Sequence, residues 1–554
     1  MTEHGTVLRV RDLTVRFAGR GGPATAVEDI SFTVARGEVL GLVGESGSGK
    51  STVALAAMGL HDPARTTVRG SVEVGGVDVV TAGEDRLKGL RGGRIAMVFQ
   101  DALASLSPFH RVGAQLAEAY RIHHGDAGRE EAWARAVEML ERVGIDGSRA
   151  RDHPHQFSGG MRQRVMIAMA LINRPDVLIA DEPTTALDAP VQRQVLDLMN
   201  ELRRDFGTAV VLVTHDVGMA AEATDRLLVM RGGRGVETGP TRRVLGAPAH
   251  PYTRALVGAA PSLDSVPGSR LPTVDDPRPA RRVKAPERRP REEAAPLAEV
   301  TDLRVEFGGG RTLFARRREP TRAVRGVSLR VAEGETLGLV GESGSGKSTT
   351  ARVLAGLQRP SGGTVRFDGR DVTRAAEDAA LRRSLSREVQ LVFQDPYASL
   401  NPRRTVEEIV TTPLRVHTRL GRGERRDRAA ELLAQVGLGA ADLTRYPHEF
   451  SGGQRQRIGI ARALAPRPRL IIADEPVSAL DVSVQAQVLN LLMDLRDELN
   501  LSLLFVSHDL AVVRHLCDRI AVMRRGAVVE SGTRDDIFDA PREPYTKELL
   551  AARL

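Results

Sequence analysis

Two identical glycine-rich segments are the most specific chemical feature of this sequence. The nine residues from Gly44 to Thr52 recur unchanged from Gly341 to Thr349. Their spacing fits a G-x-x-x-x-G-K-[ST] loop, in which backbone N–H groups surround phosphate oxygens, the lysine reaches the β and γ phosphates, and the serine hydroxyl ligates Mg²⁺. Apolar runs precede both segments, and Ala/Leu-rich runs follow them, which predicts a strand, a loop and a helix. The chain is therefore predicted to bind two nucleoside triphosphates with Mg²⁺.

The residues expected to contact nucleotide lie within these two loops. They are Gly44, Ser46, Gly47, Gly49, Lys50, Ser51 and Thr52 in the first, and Gly341, Ser343, Gly344, Gly346, Lys347, Ser348 and Thr349 in the second.

Adjacent carboxylates follow an apolar run in each half. The pairs are Asp181–Glu182 and Asp474–Glu475. The aspartate is placed to hold the Mg²⁺ shell, and the glutamate to orient and deprotonate an attacking water. A surface acidic pair at the end of a buried strand is the alternative interpretation, and the phosphate loop upstream disfavours it.

The motifs of the two halves are separated by a nearly constant distance. Lys347 lies 297 residues after Lys50, and His508 lies 293 residues after His215. A constant offset predicts two copies of one domain, which we place at residues 1–261 and 297–554, joined by a linker at 262–296. Each histidine directly follows an apolar run that is predicted to be a strand. A histidine at the end of a strand ordinarily has no special role, but its occurrence at matched positions in both halves favours contact with the γ-phosphate.

Composition narrows the class of protein. No run of about 18 apolar residues occurs, so the chain is not expected to cross a membrane. The first residues lack a charged segment followed by an apolar one, so secretion is not expected. Cys517 is the single cysteine, which excludes an intramolecular disulfide and a cysteine-ligated cluster within the chain. We expect Cys517 to be buried on a helix, in a protein of the reducing cytoplasm.

The chain has a net charge of +8, and its densest cluster of positive charge lies within the linker. Residues 278–291 contain seven cations against the single anion Glu287. The segment is rich in proline and arginine and poor in large apolar residues, so it is not expected to order itself. A solvated linker is favoured over an RNA-binding arm because no aromatic residues are interleaved, and no nucleic acid partner is expected.

A second pair of motifs carries a family resemblance. Residues 157–164 and 450–457 resemble the signature of ATP-binding cassette (ABC) ATPases. The signature residues are Ser158, Gly159 and Gly160 in the first half and Ser451, Gly452, Gly453 and Gln454 in the second. The resemblance covers the whole chain apart from the linker. It implies an α/β fold with two tandem RecA-like P-loop nucleotide-binding domains, each with a helical subdomain inserted at about residues 100–175 and 394–468.

The resemblance also implies how the sites are composed. Two cassettes close head to tail, so that each ATP lies between one phosphate loop and the other cassette's signature. Met161 replaces the signature glutamine in the first half, and whether the two sites turn over equally is left open. Phe17 and Phe307 fit the place of an adenine-stacking aromatic and fit equally a core position. The implied Mg²⁺ ligands are Ser51, Gln100, Asp181, Ser348, Gln394 and Asp474, and the implied catalytic residues are Glu182, His215, Glu475 and His508.

A closer resemblance is to the ATPase subunits of oligopeptide, dipeptide and nickel importers. Residues 393–402 look like that family's segment after the coupling glutamine, although Ala102 and Ser107 depart from it in the first half. Pro-Tyr-Thr at 251–253 recurs at 544–546, like the family's C-terminal extension. The resemblance implies an ATPase whose two cassettes pair in cis and drive two permease subunits, with an extracytoplasmic solute-binding protein. It places the chain at the cytoplasmic face of the cell (inner) membrane.

Three points are left open or argued by elimination. Some relatives carry an iron–sulfur cluster on C-terminal cysteines, and none is expected here because that region has no cysteine. The alternative function is that of a twin-cassette ATPase of the F subclass, which acts on the ribosome, but the prolines of this linker would break the long helical linker of that subclass. A cassette-type DNA-repair ATPase would need zinc-binding cysteines, which this chain does not have. The transported solute is not identifiable from an ATPase, and the direction of transport rests on resemblance alone.

Overall fold

Strands and helices alternate along each half of the chain, as the paired motifs predict. The computed structural model describes residues 5–19, 22–100, 105–184, 189–263, 265–274, 296–308, 320–478 and 480–551. The chain divides into two compact units, Met1–Ala260 and Pro261–Arg553.

The described residues of the first unit form ten strands in two sheets. The strands are β1 (Thr6–Phe17), β2 (Ala24–Ala35), β3 (Val39–Val43), β4 (Thr66–Val74), β5 (Val77–Asp78), β6 (Ile95–Val98), β7 (Val177–Asp181), β8 (Ala209–Thr214), β9 (Arg226–Arg231) and β10 (Arg234–Pro240). The four-stranded sheet has the order β2-β1-β4-β5, and the six-stranded sheet has the order β10-β9-β3-β8-β7-β6. β3, β7 and β8 pair in parallel and are buried at every position. Burial on both faces explains their uninterrupted apolar sequences.

Helices surround the six-stranded sheet of this unit. They are α1 (Lys50–Ala57), α2 (Glu84–Leu90), α3 (Val112–His123), α4 (Arg129–Arg142), α5 (Gly159–Leu171), α6 (Ala189–Phe206), α7 (Val217–Ala223), α8 (Thr241–Gly246) and α9 (Pro251–Ala259). Short 3₁₀ turns occupy Gly147–Arg151 and Pro154–Gln156. α3, α4 and α5 lie between β6 and β7, so the predicted inserted helical subdomain is confirmed.

The second unit repeats this construction. Its strands are β11 (Ala298–Phe307), β12 (Thr321–Val331), β13 (Thr336–Val340), β14 (Gly362–Phe367), β15 (Arg370–Asp371), β16 (Val389–Val392), β17 (Leu470–Asp474), β18 (Ser502–Val506), β19 (Arg519–Arg524) and β20 (Ala527–Thr533). The sheets have the orders β12-β11-β14-β15 and β16-β17-β18-β13-β19-β20. Both orders match those of the first unit, strand for strand, so the duplication predicted from the motif offset extends to the sheet topology.

The helices of the second unit fall at matching places. They are α10 (Lys347–Leu354), α11 (Ala379–Glu388), α12 (Pro396–Ser399), α13 (Val406–His417), α14 (Arg422–Gln435), α15 (Gly452–Leu464), α16 (Val482–Leu499), α17 (Leu510–Leu516), α18 (Arg534–Asp539) and α19 (Pro544–Ala551). The 3₁₀ turns are Ala440–Thr444 and Pro447–Glu449.

The sheet order determines which motifs meet. β3 is hydrogen-bonded to β8, and β8 to β7, all in parallel. The carboxyl ends of parallel neighbours open onto one edge of a sheet, where α/β proteins bind ligands. The phosphate loop follows β3, the acidic pair lies at the end of β7, and the histidine follows β8. Three motifs spread from residue 44 to residue 215 of the sequence are therefore placed side by side.

Part of the predicted linker packs on the second unit. Residues 265–274, called the strap below, lie against α16, where Leu271 is only 5% exposed. The Leu271 N–H donates to Asn490 Oδ1 at 2.9 Å, and Asn490 Nδ2 donates to the Leu271 carbonyl at 2.8 Å. The expectation that residues 262–296 cannot order themselves is wrong for the strap, because one buried leucine and a paired amide anchor it. The arginine-rich residues 275–295 lie outside the described part of the chain.

Two further expectations can be compared with the fold. Within the described residues, no helix has the length and apolar character needed to cross a membrane. Cys517 is buried, as expected, but it caps the end of α17 instead of lying within a helix. Burial raises the pKa of its thiol well above the ordinary value.

Candidate nucleotide sites

The lysine of the first phosphate loop is hydrogen-bonded to backbone carbonyls of the same loop. Lys50 begins α1 and is 6% exposed. Its Nζ donates to the carbonyl oxygens of Gly44, at 2.7 Å, and Glu45, at 2.8 Å. Gly49 precedes the helix with φ of 99°, a left-handed conformation that favours glycine, and a Cβ there would lie 2.7 Å from the carbonyl oxygen of Ala26. The curled loop leaves room for phosphates and has no space for a larger residue at this turn.

The second loop has the same geometry. Lys347 begins α10, and its Nζ donates to the carbonyl oxygens of Gly341 at 2.6 Å and Glu342 at 2.8 Å. Gly346 has φ of 102°. The remaining predicted loop residues, Ser46, Gly47, Ser51 and Thr52 with Ser343, Gly344, Ser348 and Thr349, lie in the same two loops and the first turns of α1 and α10.

The loop serine and the strand-end aspartate are in direct contact. Ser51 Oγ donates to Asp181 Oδ1 at 3.2 Å, and Ser348 Oγ donates to Asp474 Oδ1 at 2.8 Å. Burial raises the pKa of both Asp181 and Asp474, against the lowering effect of the serine hydrogen bond. A buried carboxylate next to a hydroxyl is a set of hard oxygen donors of the kind that Mg²⁺ binds.

The glutamate that follows each aspartate is held from two sides. Gln100 Nε2 donates to Glu182 Oε2 at 2.7 Å, and His215 Nδ1 lies 2.8 Å from Glu182 Oε1. Glu182 has φ of 47°, in the left-handed region that a residue with a side chain adopts at a cost of about 1–3 kcal/mol. The backbone turn and the two hydrogen bonds together fix the carboxylate at the mouth of the loop.

The second glutamate repeats this arrangement. Gln394 Nε2 donates to Glu475 Oε2 at 2.8 Å, and His508 Nδ1 lies 3.2 Å from the same oxygen. Glu475 has φ of 48°. Sequence analysis placed the histidines at the γ-phosphate, and it did not predict that each would contact the glutamate.

These contacts change the protonation of both partners. For His508, burial lowers the pKa, but the hydrogen bond and charge of Glu475 outweigh it, so the pKa is raised. The pKa of His215 is raised for the same reasons, with Glu182 as the partner. For Glu475, burial raises the pKa, but the hydrogen bond and charge of His508 outweigh it, so the pKa is lowered. The carboxylate is therefore ionised at neutral pH.

The signature segments lie at the starts of two helices. Ser158 caps α5, and its Oγ accepts from Met161 N at 3.3 Å. Ser451 caps α15 in the same way, and Ser451 N donates a return hydrogen bond to Gln454 Oε1 at 3.1 Å. Methionine at 161 cannot make this return bond, so the first signature has a weaker cap. The glycines that follow present the N–H groups of a helix N-terminus, which suits an anion.

The two candidate adenine contacts differ in their surroundings. Phe17 is partly buried against the core, with its ring 5.6 Å from that of His61 in an edge-on arrangement. Phe307 is 44% exposed, so it does not occupy the core position that strand alternation also allowed. Ala102, which departs from the importer pattern, lies outside the described residues.

One tyrosine in each unit contacts the phosphate loop, and neither contact was predicted from the sequence. Tyr252 Oη accepts from Glu45 N at 3.2 Å, and Tyr545 Oη accepts from Glu342 N at 3.3 Å. The available signal was the repetition of Pro-Tyr-Thr in both halves, which sequence analysis used only for family resemblance.

Known proteins and protein families resemble this chain over most of its length. Residues 27–185 and 324–478 match the ABC transporter family, and residues 236–287 and 529–553 match the oligopeptide/dipeptide transporter C-terminal region. Glutathione import ATP-binding protein GsiA of Escherichia coli strain K12 is 46% identical, over 99% of this chain and 89% of that protein. GsiA of Escherichia coli O6:H1 has the same identity and coverage. Among solved structures, the ATP-binding cassette MJ0796, a dimer bound to ADP and phosphate, is 32% identical, with a TM-score of 0.39, over 43% of this chain and 98% of that one.

Proposed function

The chain belongs to the ABC transporter family, and we propose that it is the ATP-hydrolysing subunit of an importer for peptides or a related small solute. The observation that carries the proposal is the duplicated site, in which loop lysine, buried aspartate and doubly bonded glutamate recur in both units with nearly equal distances. Each of those units also ends in a segment that matches the oligopeptide/dipeptide transporter C-terminal region.

ATP binding rests on the loop and the helix behind it. The N–H groups of the first turn of α1 or α10 point at the phosphates, and the lysine turns from the loop carbonyls to the β and γ oxygens. Lys50 Nζ lies within 2.8 Å of two carbonyls of the same loop, which places the ammonium beside the space that the phosphates would occupy.

Mg²⁺ fits the oxygens that meet beside each loop. Ser51 with Asp181, and Ser348 with Asp474, would hold it, and Gln100 and Gln394 are the further ligands proposed from family resemblance. When bound, the ion neutralises charge that develops on the phosphates during transfer. In the protein alone, burial disfavours the charged form of Asp181 and raises its pKa. A bound cation would offset this unfavourable free energy.

Glu182 and Glu475 are proposed to orient the attacking water and accept its proton. Each carboxylate oxygen has two lone pairs, so the hydrogen bonds from glutamine and histidine leave acceptor capacity on the carboxylate. A lowered pKa keeps Glu475 ionised, which suits a group that must hold a water by its hydrogen before transfer. We assign the neighbouring histidines two tasks, to fix the glutamate and to contact the γ-phosphate once nucleotide is present.

The two cassettes are proposed to act together in one chain. Family resemblance implies that each signature helix, beginning at Ser158 or Ser451, supplies N–H groups to the ATP bound at the other cassette's loop. Covalent linkage favours pairing in cis, because a short tether gives an effective concentration of order millimolar.

Membrane permeases are the partners of an importer ATPase. Two multi-span subunits, contacted near Gln100 and Gln394, and an extracytoplasmic solute-binding protein complete the proposed assembly. The chain would then lie at the cytoplasmic face of the cell membrane. No iron–sulfur cluster is proposed, since the single cysteine is the buried Cys517.

Small peptides are the proposed class of solute. The relatives at 46% identity are named for glutathione import, and glutathione is a peptide thiol. A ribosomal function is disfavoured, because both halves match a transporter-specific C-terminal region.

Affinity purification tests the proposal. The tagged full chain, recovered from membranes in mild detergent, should bring down two multi-span proteins and hydrolyse ATP. Recovery of ribosomal proteins without any permease would overturn the transport function and leave the ATPase assignment intact.

A further inference from the structure

The C-terminal extension of each unit reaches its own phosphate loop through one buried tyrosine. Tyr252 lies on α9 and is 2% exposed, and Tyr545 lies on α19 and is 4% exposed. Their hydroxyl oxygens accept from the backbone N–H of Glu45 and Glu342 at 3.2 and 3.3 Å. The same long-range contact in both units, across more than 200 residues each, is a built feature of the fold.

The tyrosine and the lysine bind the same residue of the loop. The carbonyl oxygen of Glu45 accepts from Lys50 Nζ at 2.8 Å, while its N–H donates to Tyr252. When the ammonium turns toward phosphate, this side of the loop loses part of its attachment. The tyrosine hydroxyl then remains to hold the first turn of the loop in place.

The tyrosine is itself fixed from the sheet. In the first unit, Glu237 of β10 accepts from the N–H groups of Ala249 and His250, at 2.9 and 3.0 Å, just before α9 begins. Arg231, the last residue of β9, lies over the Tyr252 ring at 4.9 Å. β9 pairs with β3, the strand that leads into the loop.

The second unit has equivalent supports. Glu530 of β20 accepts from the N–H groups of Arg542 and Glu543, at 2.8 and 3.3 Å. Arg524 lies over the Tyr545 ring at 4.3 Å. Burial raises the pKa of Tyr545 to about 12, so its hydroxyl stays neutral and keeps its proton at physiological pH.

We propose that Tyr252 and Tyr545 are positioning residues that hold the phosphate loops, so that the C-terminal extension of each cassette sets that cassette's affinity for ATP. This inference rests on the proposed ATPase function. It gives the extension, which carries the Pro-Tyr-Thr repeat, a role within the nucleotide site of its own unit.

Removal of the hydroxyl alone tests the role. Tyr252→Phe and Tyr545→Phe keep the ring and its arginine contact. Loss of one neutral hydrogen bond corresponds to about a 2- to 10-fold weaker Kd for MgATP at the altered site. The measurement is titration of the full chain with a fluorescent ATP analogue and Mg²⁺, in a background of Glu182→Gln and Glu475→Gln that prevents turnover.

The pattern of isotherms separates positioning from damage. Each single variant should weaken one of two sites and give a biphasic isotherm, and the double variant should return to a single, weaker phase. Tyr120→Phe is the matched control, since it removes a hydroxyl from the helical subdomain, where Oη lies 3.4 Å from Glu131. That variant should bind like the parent chain.

Three results would overturn the proposal. Isotherms of the tyrosine variants that superimpose on the parent would remove the role and leave the ATPase assignment standing. A single variant that weakens both sites equally, with a lowered melting temperature, would show general destabilisation instead. A parent chain that binds no ATP would overturn the proposed function itself, and the tyrosine role with it.

Discussion

Replacing Glu182 and Glu475 by glutamine should stop hydrolysis and leave ATP binding in place. Each carboxylate accepts one hydrogen bond from a glutamine amide and has a second contact with a histidine Nδ1. The substituted amide keeps one acceptor oxygen and presents a donor at the other position. The amide oxygen can go on accepting from Gln100 or Gln394, while the amide nitrogen faces the histidine Nδ1, which accepts in the neutral imidazole tautomer that is protonated on Nε2. The loops around the phosphates are therefore expected to keep their geometry.

The expected loss of rate follows from the function assigned to the carboxylate. General-base catalysis contributes about 10²- to 10⁴-fold. A fall of at least about 10²-fold in the double variant corresponds to roughly 2.7 kcal/mol of activation free energy. The Kd for ATP should change by no more than roughly 10-fold, the equivalent of one neutral hydrogen bond.

Phosphate release by the purified full chain at saturating MgATP measures the rate, and titration with a fluorescent ATP analogue measures the Kd. Glu201→Gln with Glu498→Gln is a matched control, because both carboxylates are exposed, on α6 and α16. The control should hydrolyse ATP like the unmodified chain. Near-normal turnover in the Glu182→Gln, Glu475→Gln chain would refute the base assignment.

Two further predictions concern stability and the strap. The raised pKa of His508 means that its contact with Glu475 contributes fully below the ordinary histidine pKa of about 6.5 and is lost as pH rises through the raised value. His508→Ala should therefore lower the urea midpoint most at pH 6 and least at pH 8.5, and a gap that widens with pH would contradict this. Asn490→Ala removes both hydrogen bonds to Leu271, so tryptic cleavage after Arg270 should accelerate by roughly 10-fold or more. An unchanged cleavage rate would show that the strap does not depend on this amide.

Local motifs were the predictable part of the sites. The loop, the helix that begins at Lys50 and the strand that ends at Asp181 depend on neighbouring residues, so sequence spacing was sufficient to place them. The cap at Ser158 is local too, because its side chain accepts from the N–H three residues later. Parallel pairing of β3, β8 and β7 then brings these motifs together without further information.

Contacts between distant side chains and backbone were not predictable. The bond from Glu45 to Tyr252 spans 207 residues and involves a backbone N–H, which every non-proline residue offers, so no sequence pattern marks it. The strap was missed for a related reason. Leu271 is a single apolar residue in a proline-rich run, and its partner Asn490 lies inside a helix with no neighbouring motif. The left-handed backbone at Glu182 follows from tertiary constraints, since glutamate does not favour that conformation.

Solute uptake by intact cells tests the central claim most directly. Cells that lack the gene for this chain would be supplied with the unmodified chain or with the Glu182→Gln, Glu475→Gln chain, and accumulation of labelled glutathione and dipeptides would be measured. We expect accumulation of at least one of these peptides with the unmodified chain and none with the variant, although both chains reach the membrane fraction in equal amounts. Equal accumulation with both chains would contradict the claim that ATP hydrolysis at these two sites drives import.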